Sequence, residues 1–124
     1  MISTKEKPRD IKERTFSFAL EIIKFCQSID FRNEALRILG RQLLKSGTSI
    51  GANVEEAQAG QSRADFISKY AIALEESRET LYWLRLLKEG GMYGESEALI
   101  QEAQEIARII GAIIVNTKNH RHQR

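Results

Sequence analysis

Arg37, Arg41 and Lys45 recur at intervals of four residues, and no acidic residue occurs from Ala35 to Val54. On a helix this spacing stacks three cations along one face at about 6 Å, close enough to follow successive phosphates of a polyanion. Arg32, Arg85 and Lys88 are expected toward the same end of the molecule and would enlarge the patch. The competing reading is a solvated face, or cations paired with acids of a neighbouring helix or subunit. No aromatic platform is evident beside the stripe, so stacking on single-stranded bases is not indicated.

The carboxylates Glu55, Glu56, Glu75, Glu76 and Glu79 invite comparison with the metal centres of helical bundles, which need a Glu-x-x-His pattern on two helices. The only histidines are His120 and His122, near the C-terminus, where a frayed tail supplies no preorganised geometry. No metal site is expected. Glu75 with Arg78 and Glu79 with Arg85 are read as helix-surface pairs, or as pairs between subunits. No glycine-rich phosphate loop occurs, nor a nucleophile with a neighbouring base, so no catalytic residue, cofactor or enzymatic activity is expected. Asn53 falls near an inward stripe, where a bond to a facing helix would fix register.

These side chains must be positioned by a single domain, since 124 residues suffice for one core and not for two. One proline, at position 8, leaves little turn chemistry for a β-fold. The first residues lack the apolar core of a signal peptide. The longest aliphatic run, Ile109 to Val115, is far short of the roughly 20 residues of a membrane span. A cytoplasmic protein without membrane contact is expected. Cys26 is the single cysteine and sits on an apolar face, as a small core residue would. The net charge of +2 is unevenly spread: residues 1–14 carry five cations against three acids, residues 15–104 ten against thirteen, and residues 105–124 four against one. Basic ends of this length attract polyanions or simply aid solubility.

Periodicity predicts an all-α chain. Residues 1–9 read as a flexible arm, and Asp10 with Glu13 as the opening of a first helix ending near Ser28. Its stripe is Phe18, Ile22, Phe25 or Cys26, and Ile29. A second helix runs from about Glu34 to Ala57, with Leu36, Leu39, Leu43, Gly47, Ile50, Val54 and Ala57 inward. Helix-interior glycine costs about 1 kcal/mol relative to alanine, so Gly47 and Gly51 belong there only if close packing demands them. Ser62 with Asp65 opens a third helix that Gly90-Gly91 ends, its stripe being Ile67, Tyr70, Leu74, Ser77, Leu81 and Leu84. The fourth begins near Glu95, buries Leu99, Ala103, Ile106, Ile110 and Ile113, and frays near Thr117 into a basic tail, residues 118–124. Short connections predict an antiparallel up-down-up-down four-helix bundle over residues 10–117.

The third helix carries a second face. At 100° per residue Ile72, Trp83 and Leu86 point away from its core stripe, with Tyr82 on another flank. An outward tryptophan beside two aliphatics argues for a subunit interface, against the alternative of scattered surface apolar residues.

The run from Gln42 to Ala57, followed by Gln61-Ser62-Arg63-Ala64-Asp65-Phe66-Ile67 and Ile72-Ala73-Leu74, resembles the four-helix-bundle family of 23S rRNA intervening-sequence proteins. Ser49-Ile50, Ala52-Asn53 and Glu56 match the family pattern. Gly51 stands for its usual proline, Ala57 for its usual glycine, and Glu55 where alanine is common. A mid-helix proline kinks a helix, and Gly51 permits the same bend without forcing it. The resemblance implies a closed, ring-like homopentamer. It also implies kinship with accessory proteins of diversity-generating retroelements, which bind nucleic acid and a reverse transcriptase.

Two functions follow as expectations. One is a homo-oligomeric nucleic-acid or ribonucleoprotein accessory factor, acting on RNA or DNA through the basic stripe. The other is a structural or protein-interaction module without nucleic-acid contact.

Overall fold

A computed structural model describes residues 10–60, 62–91 and 96–122. Four α-helices follow in order: α1 (Ile11–Gln27), α2 (Glu34–Gln58), α3 (Arg63–Glu89) and α4 (Ser96–His122). The expected arm at residues 1–9 and the expected helix start at Glu95 lie outside the described residues. Three helices begin where short polar side chains replace missing backbone partners. Asp10 accepts from the Glu13 N–H, Asn33 from the Leu36 N–H, and Ser62 from the Asp65 N–H. α3 ends at Gly90, and Gly91 adopts φ +100°, a conformation that costs glycine nothing and a side chain a great deal.

The helices touch as α1 with α2, α2 with α3, α3 with α4, and α4 with α1. One core fills the space between them, with Phe18, Ile22, Leu43, Ile50, Val54, Tyr70, Leu84, Ile106 and Ile110 all at or below 2% exposure. The expected stripes of α1, α2 and α4 face this core. The stripe of α3 is turned relative to expectation. Tyr70, Ser77 and Leu84 are buried as read, but their buried companions are Ala73, Thr80 and Leu87, while Ile67, Leu74 and Leu81 are half-buried. Packing against α2 explains the turn: Thr80 Oγ1 bonds Ser46 Oγ at 2.9 Å in the interior. A threonine does not register in a hydrophobic pattern, yet inside a paired polar contact its burial costs little.

Glycine decides how closely α1 meets α2. A Cβ at Gly40 would lie 3.0 Å from Ile29 Cδ1, and one at Gly47 would lie 2.9 Å from Ile22 Cγ1. At Gly51 it would meet the Thr15 carbonyl carbon at 3.3 Å. These three glycines form the floor on which Ile29, Ile22 and Thr15 rest, and Gly51 acts through close approach within one continuous helix. Gly40 belongs to this set although its pattern position did not single it out. α1 is tied to α4 by Arg14, whose Nε and Nη2 donate to the two Glu102 carboxylate oxygens at 3.0 and 2.8 Å. Those bonds hold the guanidinium pKa above its ordinary value, against the opposing effect of burial.

α4 extends past Thr117 to His122, so the expected tail is helical through that residue. No glycine or proline follows Gly111 to stop it, and Thr117 Oγ1 donates to the Ile113 carbonyl one turn back within the helix at 2.7 Å. The described part of the chain contains no helix long and apolar enough to cross a membrane.

The glycines permit a paired test by chemical denaturation. Gly47→Ala gains helix propensity but forces methyl against the root of a fully buried isoleucine, and is expected to destabilise by roughly 1–3 kcal/mol. Gly111→Ala meets nothing within 4 Å and is expected to stabilise by roughly 0.5–1 kcal/mol. Equal effects at both positions would remove close packing as the reason for Gly47.

Candidate interaction surface

The six cations of the expected polyanion patch do not act as one group. Arg37 pairs with Glu34 at 3.4 Å, Arg32 with Asp30 at 3.0 Å, and Lys88 with Glu97. Because Glu97 is on α4, Lys88 lies on the α4 side of α3. Arg85, three residues earlier, shares that side, away from the stripe on α2. Lys45 is close enough to α3 to oppose electrostatically the rise in the Glu76 pKa, a rise caused mainly by burial and then by Glu79. Arg41 is exposed and forms no ion pair among the described residues. What remains of the stripe is an outward edge of Arg41 and Lys45, with Arg37 already engaged.

The helix-surface pairs expected of Glu75 and Glu79 do not form. Glu75 and Glu79 are exposed and form no ion pair with Arg78, Arg85 or any other described residue. The described residues hold no group of three His, Cys, Asp or Glu able to bind a metal ion. His120 is exposed at the end of α4.

Asn53 is half-buried, and its Nδ2 donates to the Ser49 carbonyl at 2.9 Å, one turn back on its own helix. It makes no register bond to a facing helix. That position is taken by Ser46 with Thr80, and by Gln58 Nε2 donating to the Tyr70 hydroxyl at 2.8 Å. The Asn53 expectation fails because a short side chain on a helix reaches its own preceding carbonyl more easily than a neighbour.

Trp83 does not point outward as expected. It is half-buried and packs against the core cluster, with Tyr82 edge-on to its ring at a centroid distance of 5.2 Å. Its Nε1 is buried and has no hydrogen-bond partner among the described residues. Three residues after Thr80, Trp83 falls on the α2 side of α3. Ile72 is half-buried too, whereas Tyr82 and Leu86 are exposed. The expected apolar face of α3 is therefore narrower than its sequence.

The larger exposed apolar surface lies elsewhere. Phe16, Leu20, Ile23 and Phe31 are exposed on or just after α1, and Leu44 on α2. An open groove of about 540 Å³ runs through this face, lined by Ile23, Cys26, Gln27, Phe31, Leu44 and Thr48. Its signal was present in the sequence. Phe16, Leu20, Ile23 and Gln27 step by four, three and four, a second stripe beside the core stripe of α1. The close seat of α1 on the α2 glycines merges both helices into this one surface. A second groove, about 670 Å³, lies between α1 and α4 with a mixed lining that includes Phe25, Glu21, Lys24, Leu99 and Glu102.

Fold and surface together define an all-α, four-helix protein whose exposed chemistry lies on open helix faces. The chain belongs to the 23S rRNA-intervening sequence protein family, which it matches over residues 7–112. A crystal structure of a protein of unknown function from the S23 ribosomal protein family of Bacteroides thetaiotaomicron VPI-5482 is similar to it, with a TM-score of 0.78 and 37% sequence identity. The alignment covers 85% of this chain and 98% of that one. Comparison with curated proteins found no match.

Cys26 at the base of the α1–α2 groove offers a probe of its integrity. Its thiol is 5% exposed, lies 3.7 Å from the Gly40 carbonyl oxygen, and is pushed up to about 11 by burial. Since the thiolate is the reactive species, alkylation by iodoacetamide at pH 8 is expected to be slow in the native protein and rapid in denaturant. Equal rates in both states would show that α1 does not stay seated on α2.

Proposed function

We propose that this protein is a non-enzymatic, homo-oligomeric scaffold whose four helices run up-down-up-down and whose outer faces bind other chains. The observation that carries the reading is the exposed apolar face of Phe16, Leu20, Ile23, Phe31 and Leu44. Contiguous apolar surface of this kind marks interaction sites more often than solvent-facing surface. The helix order is supported by contact pairs: Gly40 meets Ile29 and Gly51 meets Thr15, while Ser46 meets Thr80 and Gln58 meets Tyr70. In each pair of helices, residue numbers rise on one as they fall on the other. The resemblance to ring-forming relatives supports a pentamer, and the absence of any spanning helix among the described residues fits a cytoplasmic protein.

A second reading, a nucleic-acid or ribonucleoprotein accessory role, is favoured by one feature. Arg41 and Lys45 face outward on a stretch of α2 without acids. Arg32, Arg37, Arg85 and Lys88 could join only by giving up a pairing or by wrapping ligand around the bundle.

Light scattering tests the first reading, with an expected mass well above the 14.2 kDa monomer; a monomer at every concentration would overturn it. Fluorescence anisotropy with labelled RNA and DNA tests the second. If phosphates are contacted, affinity falls steeply as salt rises, and replacing Arg37, Arg41 and Lys45 by Gln abolishes binding while the oligomer persists. Absence of binding at low salt would dismiss the accessory role.

A further inference from the structure

With the helix order proposed above, α3 and α4 run on at the end of the bundle where α1 begins and α2 stops. Gln58, the last residue of α2, bonds Tyr70, so the seven residues of α3 before Tyr70 lie beyond it. At 1.5 Å per residue they extend about 10 Å. α4 overruns α1 in the same direction. Arg14 lies three residues inside α1 and pairs with Glu102, after which α4 continues for twenty residues to His122.

The core is left open at this end. Phe66 falls four residues before the buried Tyr70, and Ile113 three after the buried Ile110, so both continue the inward stripes of their helices. Both pack against the core cluster, yet both are only half-buried, as is Thr117 one turn further on. At the opposite end Ile29, Leu87 and Leu99 are closed in, at 5%, 1% and 9% exposure. The Phe66 ring is tilted against that of Tyr70 at a centroid distance of 4.7 Å, so the open end presents an aromatic edge close to an isoleucine.

The chain carries a segment placed to cover it. Asp10 is close enough to Tyr70 for its charge to push the hydroxyl pKa up, after the larger effect of burial and against the bond from Gln58. The nine residues preceding Asp10 therefore leave the bundle beside the open end. They read Met-Ile-Ser-Thr-Lys-Glu-Lys-Pro-Arg. Pro8 disfavours helix at Lys7, so the segment does not simply prolong α1. Extended, nine residues reach about 30 Å, more than two interhelical spacings of about 10 Å each. Met1 and Ile2 fall within that reach of every side chain at the open end. Residues 1–6 and those after Ala112 also lie outside the stretch that matches the family, so the overrun of α4 and the segment beside it belong to this chain's own sequence.

Going beyond the oligomeric reading, we infer that residues 1–9 cross the open end of the core and close it, with Ile2 set against Phe66 and Ile113. Closure removes apolar surface of both side chains from water. It also makes the last turns of α4 depend on the first residues of the chain.

Two measurements on the full chain test this. In hydrogen exchange, Ile2→Asp is expected to speed the amides of residues 113–120 by about tenfold or more, since a buried isoleucine contributes to holding those turns closed. Ser3→Asp puts the same charge on the other side of an extended segment and should leave them unchanged. For proximity, Cys26→Ala removes the native thiol, and Thr4→Cys is combined with Asn116→Cys or with Gln27→Cys at the far end of α1, both exposed positions. Oxidation should give a disulfide within one chain for the Asn116 pair and little for the Gln27 pair. Equal yields from the two pairs, a disulfide joining two chains, or exchange unmoved by Ile2→Asp would each overturn the contact. The mass measured by light scattering is independent of all three, so the oligomeric reading stands or falls separately.

Discussion

The close seat of α1 on the glycine floor of α2 is the contact on which much else depends. Gly40, Gly47 and Gly51 bring Ile29, Ile22 and Thr15 to within van der Waals distance of the α2 backbone. Glycine in a helix interior is unfavourable by itself, about 1 kcal/mol per residue relative to alanine. It is retained where dispersion and burial across the seam offset that cost. The close approach buries Cys26 against the Gly40 carbonyl and, on the outer side, levels α1 with Leu44 and Thr48 into one apolar surface. A single packing constraint thus shapes both interior and exterior.

On the other side of α2 the contact is of a different kind. Ser46 and Thr80 meet through a buried hydrogen bond, with Ser46 at 1% and Thr80 at 0% exposure. Such a pair contributes only about 1 kcal/mol net, but a slip in register would leave two buried hydroxyls without each other. A second hydrogen bond between the two helices, from the exposed Gln58 to the Tyr70 hydroxyl, lies nearer the α2–α3 turn. α2 therefore packs by shape toward α1 and by polar matching toward α3, so its crowd of small residues serves both neighbours.

The surface follows from these choices. Cations that look alike in the sequence have different fates, since Arg37 is answered by Glu34 and Lys88 by Glu97 while Arg41 stands free of ion pairs among the described residues. Membership of the 23S rRNA-intervening sequence protein family accounts for the fold and the pattern of Gln42 to Ala57. It assigns no reaction, and the stretch that carries the resemblance is largely occupied in holding helices together.

By itself the sequence determined the four helices, their caps at Asp10 and Ser62, the stop at Gly90-Gly91, and the core faces of α1, α2 and α4; the cap at Asn33 came from the structure. These rest on local rules: capping geometry, glycine at positive φ, and apolar residues at steps of three and four. Only the tertiary structure decided that α3 turns Ala73 and Thr80 inward, that Trp83 packs half-buried against the core, that Asn53 bonds its own helix, and which cations are already paired. It also brought α1 and α2 together as one exposed apolar face. Each of these depends on what lies opposite a side chain, and a neighbour distant along the chain leaves no mark in a local pattern.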